Sequence, residues 1–161
     1  MAVVHRFHEA WHVAAPPDQV ARTLSDLAGY PSWWPEVVAV AALGGDSARV
    51  LCRSRLPYTL DLVLTAVTRE APRLEVTVEG HLEGWVRFDL VPDPGPRGTA
   101  EGTLLDFHQE VVATGWLGAA SRPLRPVLHW NHHRMMQGCR DGLARHLTVG
   151  ARQAGPPPVS L

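Results

Sequence analysis

Between Val37 and Val112 the apolar residues recur with period two, and this alternation limits the chain to few folds. Tyr58, Leu60, Leu62 and Leu64 share one parity. Leu74, Val76 and Val78 stand opposite Arg73, Glu75 and Glu79, and Val86, Phe88 and Leu90 stand opposite Arg87 and Asp89. Such a pattern describes strands with one apolar and one solvated face. The strands over Val37 to Ala42, Ala48 to Leu56 and Tyr58 to Arg69 are separated by little more than turn residues, GGD among them, and the Pro- and Gly-rich PDPGPRG precedes the last strand, Thr99 to Val112. A parallel crossover needs a dozen or more residues, so these neighbours must be antiparallel. Val3 to Val13 alternates in the same way, with Val3, Phe7, Trp11 and Val13 on one parity and Arg6, His8 and His12 on the other. The expectation is an α+β domain with a curved antiparallel sheet of about seven strands.

Two helical regions interrupt the strands. Pro16, Pro17 and Asp18 open a short amphipathic run in which Val20, Leu24 and Leu27 share a face, and proline in the first turn sacrifices no hydrogen bond. That run ends near Gly29 and leads into YPSWWP, a rigid corner or single helical turn whose tryptophans need an apolar home. Gly115 to Arg125 is a loop or helical turn. From Pro126 to Leu147 the spacing predicts one amphipathic helix of roughly 33 Å. At helical pitch Leu124, Leu128, Met135, Gly138, Cys139 and Gly142 fall on the side of Asn131, while His129, His133 and Arg140 fall opposite. A sheet that is apolar on one face must cover it, and this helix is long enough to do so.

The expected organisation is one domain over 1–148 and a patternless, frayed or disordered tail over 149–161. Fifteen arginines and no lysine nearly balance sixteen carboxylates, so no overall basic field favours nucleic acid or an anionic membrane. Cys52 and Cys139 lack metal or redox spacing, which fits a reducing, cytoplasmic setting without a disulfide. No stretch has the apolar length of a membrane span, so stable membrane insertion is not expected, and the N-terminus lacks a signal-peptide core.

Chemistry-bearing residues are few. Glu101 and Thr103 share the inward parity of Leu105 and Phe107, so Glu101 is either paired, solvent-reaching or raised in pKa and suited to proton transfer. Glu9 shares the inward parity of the first strand and marks a bulge or a sheet-edge ion pair. Asn131 lies on the apolar helix face, where an unsatisfied amide costs about 1 to 3 kcal/mol; a backbone carbonyl, Trp34 or a ligand are the partners to expect. Gly138 and Gly142 suggest close packing against the sheet or room for a ligand. His129, His132 and His133 read as a solvated polar face, because no HExxH or local third ligand accompanies them, so no metal is expected. No phosphate loop or GxSxG nucleophile is present.

Four stretches in order, VAAPPDQVARTLSDLAGYPSWWPEV, GHLEG, RGTAEGTLLDF and WNHHRMMQGCRDGL, resemble the START-like helix-grip superfamily, also known as SRPBCC or Bet v 1-like, in its bacterial polyketide cyclase/dehydrase and lipid-transport branch. The resemblance covers most of the chain. It implies a sheet gripping the C-terminal helix, with one or two short helices after the first strand and an internal cavity for a small hydrophobic or aromatic molecule. Trp34, Tyr58, Leu62, Glu101, Thr103, Phe107, Asn131 and Met135 are the expected lining. If the chain is an enzyme, cyclisation or dehydration of a polyketide-like substrate with Glu101 or Tyr58 transferring protons fits best, although Arg53 and Arg55 lack the inward parity of an enolate-stabilising cation. The alternative is a non-enzymatic carrier or protein-interaction module with a closed cavity. No cofactor is implied, and a monomer or homodimer is expected.

Overall fold

Seven strands form where the alternation places them: β1 (Val4–Val13), β2 (Val37–Gly44), β3 (Ser47–Arg53), β4 (Thr59–Glu70), β5 (Arg73–Gly80), β6 (Leu82–Asp93) and β7 (Gly102–Ala113). The structure is a computed structural model in which residues 2–94 and 102–153 are described. Every pairing is antiparallel, in the order β1-β7-β6-β5-β4-β3-β2. The chain therefore leaves β1 at one edge, crosses through α1 (Pro17–Ser25) and a 3-10 turn (Leu27–Ser32), and starts β2 at the other edge. From there it meanders back until β7 joins β1. The tight β2–β3 hairpin uses Gly44 and Gly45 at φ 95° and 58°, a region open to glycine at little steric cost.

One face of this sheet is gripped around a terminal helix. After α2 (Gly115–Ser121) and a turn, α3 runs over Arg125–Gln153. It continues past Leu147 and past position 148, where a frayed tail was expected to follow; positions 154–161 lie outside the described residues. Leu124 precedes α3 and is 47 % exposed, so the helical projection that placed it beside Asn131 does not hold there.

The two halves of α3 bury different things. Cys139, Leu143 and Leu147 are buried in a cluster with Val20, Trp33 and Leu105, a continuous apolar core. Leu128, Asn131, His132 and Met135, in the first half, line a cavity instead. Gly138 and Gly142 mark the boundary, but they do not pack on the sheet. A methyl at Gly142 would meet the Trp33 carbonyl oxygen at 1.9 Å, and one at Gly138 would meet the Glu36 carboxylate at 2.2 Å. The helix thus rests on the YPSWWP corner, where Tyr30 and Trp33 are buried and the Tyr30 hydroxyl donates to the Leu24 carbonyl at 2.5 Å. The two cysteines, Cys52 and Cys139, are buried and free.

Candidate functional site

Between the sheet and the first half of α3 lies a cavity of about 380 Å³. Its wall is mostly apolar because each strand presents its inward parity to it: Val50 from β3, Leu62 and Leu64 from β4, Val78 from β5, Phe107 from β7. This volume is in the range used for small-molecule sites, which combine apolar walls with a few polar groups.

Those polar groups gather where α3 faces β1 and β7. Asn131 is 4 % exposed; its Nδ2 reaches only the Met135 sulfur at 3.8 Å, and its Oδ1 is buried without a partner. The bond expected from Trp34 goes elsewhere, since Trp34 Nε1 donates to the Met135 carbonyl at 3.1 Å. His5, also 4 % exposed, holds His129 through Nδ1 and Nε2 at 3.2 Å and leaves its own Nε2 buried without a partner. In that pair one ring must donate and the other accept, so the tautomer decides whether His5 offers the cavity a donor or an acceptor.

His132 overturns part of the solvated-face expectation. Its ring stacks on Phe7 with centroids 3.6 Å apart, and its Nε2 donates to Gln109 Oε1 at 2.8 Å. Burial, with the neighbouring histidines, pushes its pKa down to about 3, so the ring is neutral at pH 7. Burial also lowers His5 and His129. His133 is exposed as expected, and pairs with Glu9 at 3.2 Å. Glu9, on the edge strand β1, also accepts from Trp11 Nε1 at 3.1 Å, so its two oxygens both have partners, and the pairing of β1 with β7 runs without a bulge. The three histidines go to separate partners and form no metal cluster among the described residues.

The other expected residues divide. Trp34, Tyr58, Leu62, Phe107, Asn131 and Met135 line the cavity. Thr103 does not: its hydroxyl is fully buried and donates to the Ala15 carbonyl at 2.7 Å, pinning β7 to the connection after β1. Its parity is inward, but at that end of the strand the chain itself covers the position. Glu101 lies outside the described residues. Tyr58 stands edge-on to Trp116 with ring centroids 5.3 Å apart, and burial raises its pKa. Arg53 and Arg55 are exposed, as their parity implies. His5, Gln109 and His132 were missed; His5 and Gln109 do have the inward parity of Phe7 and Phe107, and that signal was available.

A second polar group sits on the outer sheet face. His8 and His108 are cross-strand partners whose rings stack at 4.4 Å, and both reach Asp106, at 2.5 and 3.3 Å. The His8 bond is the main cause holding the Asp106 carboxyl below its usual range. This trio fastens the edge strand and does not touch the cavity.

With this architecture in view, sequence comparison is decisive for family. Residues 4–148 match the family described as polyketide cyclase / dehydrase and lipid transport. The chain belongs to that family. Solved members of the fold include the Zhui aromatase/cyclase from Streptomyces sp. R1128, with TM-score 0.78 and 16 % identity over 96 % of this chain and 100 % of that one. A START superfamily protein from Mycobacterium smegmatis gives TM-score 0.64 at 18 % identity, covering 86 % of this chain and 99 % of that one. The di-domain ARO/CYC StfQ from the steffimycin biosynthetic pathway gives 0.62 at 14 %, covering 90 % of this chain and 52 % of that one. At these identities the likeness is one of fold, the seven-stranded helix grip. A comparison with curated protein sequences finds no significant match.

Proposed function

We propose that the chain binds one small hydrophobic or aromatic molecule, polyketide-like or lipid-like, in the cavity, with its polar end toward Asn131, His5, His132 and Gln109. The observation that carries this reading is the pair of buried, unpartnered polar atoms, Asn131 Oδ1 and His5 Nε2, in residues that line an otherwise apolar cavity. Left unmet, each costs about 1 to 3 kcal/mol. A ligand carrying hydroxyl, carbonyl or amide groups meets both once these side chains turn toward the cavity, and its apolar body is taken from water by the strand residues at roughly 25 cal/mol per Å².

The narrower form of the proposal is a cyclase or dehydratase, supported by the family and by the aromatase/cyclase neighbours. There the cavity would hold an extended chain in a reactive fold, and Tyr58 and Glu101 would be the proton-transfer groups. Among the described residues, Tyr58 is raised and His132 lowered, both away from neutral pH, which favours binding over acid/base chemistry. The carrier reading therefore stands beside it.

Native mass spectrometry of protein purified from its own host tests the binding claim. The expected result is a co-purified apolar molecule with polar substituents, retained by wild type and held more weakly by Asn131→Leu. A chain that captures nothing under these conditions or from a panel of aromatic polyketides removes the ligand reading. With a captured substrate, unchanged turnover in both Tyr58→Phe and Glu101→Gln discards their catalytic roles.

A further inference from the structure

Charge balances over the whole chain but not along it. Positions 111–140 hold Arg122, Arg125, Arg134 and Arg140 and not one Asp or Glu. Exposed apolar side chains concentrate in the same stretch. Of nine large apolar residues exposed among the described residues, Trp116, Leu124, Val127 and Trp130 fall on α2, the turn and the first turns of α3, each 42 to 57 % exposed. Arg122 and Arg125 lie among them, exposed, and neither joins any ion pair of the described residues. The patch adjoins the cavity wall, because Trp116 packs edge-on against Tyr58, which lines it, and Leu117 and Leu128 line it too.

We propose that this α2–α3 junction docks reversibly on an anionic lipid surface. Tryptophan rings settle at the headgroup level, where an apolar body and a polar N–H are both accommodated. Arginines beside them are attracted by acidic headgroups, about fivefold in binding per residue. No helix of the described residues is long and apolar enough to cross a membrane, so the contact is peripheral. A second copy of the chain fits less well, since a two-fold contact would bring the same unpaired arginines face to face. Docking here would set the cavity beside a source of apolar molecules, but the surface argument holds whatever occupies the cavity.

The test is co-sedimentation of the full chain with vesicles of phosphatidylcholine alone and of phosphatidylcholine mixed with phosphatidylglycerol, at low and high salt. The expected result is binding that requires phosphatidylglycerol and falls with salt. Arg122→Gln with Arg125→Gln should weaken it by roughly 25-fold, and Trp116→Ala with Trp130→Ala should also weaken it. The arginine pair is exposed, so those substitutions leave folding intact, and thermal melts verify this for the tryptophan pair. Absence of binding to anionic vesicles overturns the proposal. Binding indifferent to both variant pairs also overturns it. A concentration-dependent dimer lost in the tryptophan variant assigns the patch to a second copy.

Discussion

A histidine stacked on one ring at 3.6 Å and bonded to a glutamine at 2.8 Å has little room to take up a proton. His132 shows why its role was hard to read from the sequence. At helical pitch it stands to one side of Asn131, and its inward position depends on Phe7 and Gln109, which β1 and β7 bring together only through a long-range pairing. Asn131 was legible because it interrupts an apolar stripe. Burial lowers the His132 pKa from an ordinary 6.5 to about 3, so the unfolded chain binds the proton more readily than the native one. Its stabilising contribution is therefore full above about pH 6.5 and is lost as the pH falls toward 3. Between pH 7 and pH 5 that loss is on the order of 2 kcal/mol. Urea midpoints at the two pH values check it: His132→Gln should flatten the pH dependence relative to wild type, and parallel curves would place the acid sensitivity elsewhere.

At the scale of elements, strands were the most legible because period-two alternation is local, and all seven appear, although bulges shift the register in β2 and β4. The seat of α3 was less so. The small residues at Gly138 and Gly142 signal a close approach, but not which surface approaches, and that surface is the Trp33–Glu36 corner. The two glycines predict different outcomes. At Gly142 a methyl collides with the Trp33 main-chain oxygen, which the buried corner holds in place, so Gly142→Ala should destabilise by about 1 to 3 kcal/mol. At Gly138 the obstacle is the end of a flexible Glu36 side chain. Gly138→Ala should be closer to neutral, since a glycine inside a helix costs about 1 kcal/mol relative to alanine. Chemical denaturation of the pair measures the difference; equal costs would show that Glu36 is as fixed as the backbone. Glu36 Oε2 is itself buried without a partner, and burial raises its pKa, so a modest shift toward solvent also relieves that group.

For the whole molecule the question is whether the space between sheet and helix is a binding site or a packing defect. Neither periodicity nor motif spacing reports cavity volume, because the same inward parities describe a filled core and a lined hole. Leu64 is partly buried and lines the cavity from β4, so Leu64→Trp places an indole where the ligand body would lie. In a cavity of about 380 Å³ the larger ring is accommodated without overpacking, and the ligand-free melting midpoint should not fall. Ligand capture should be lost in the same variant. A closed core predicts the reverse, a lowered midpoint with nothing to lose in binding. The wild type gives the complementary measurement. A ligand at a hundred times its Kd stabilises the native state by about 2.7 kcal/mol, which for a chain of 161 residues raises the midpoint by roughly 5 to 11 °C. That shift should disappear in Leu64→Trp and shrink in Asn131→Leu, where the apolar wall persists but the amide is gone. A shift undiminished in both variants would locate binding outside the helix-grip cavity.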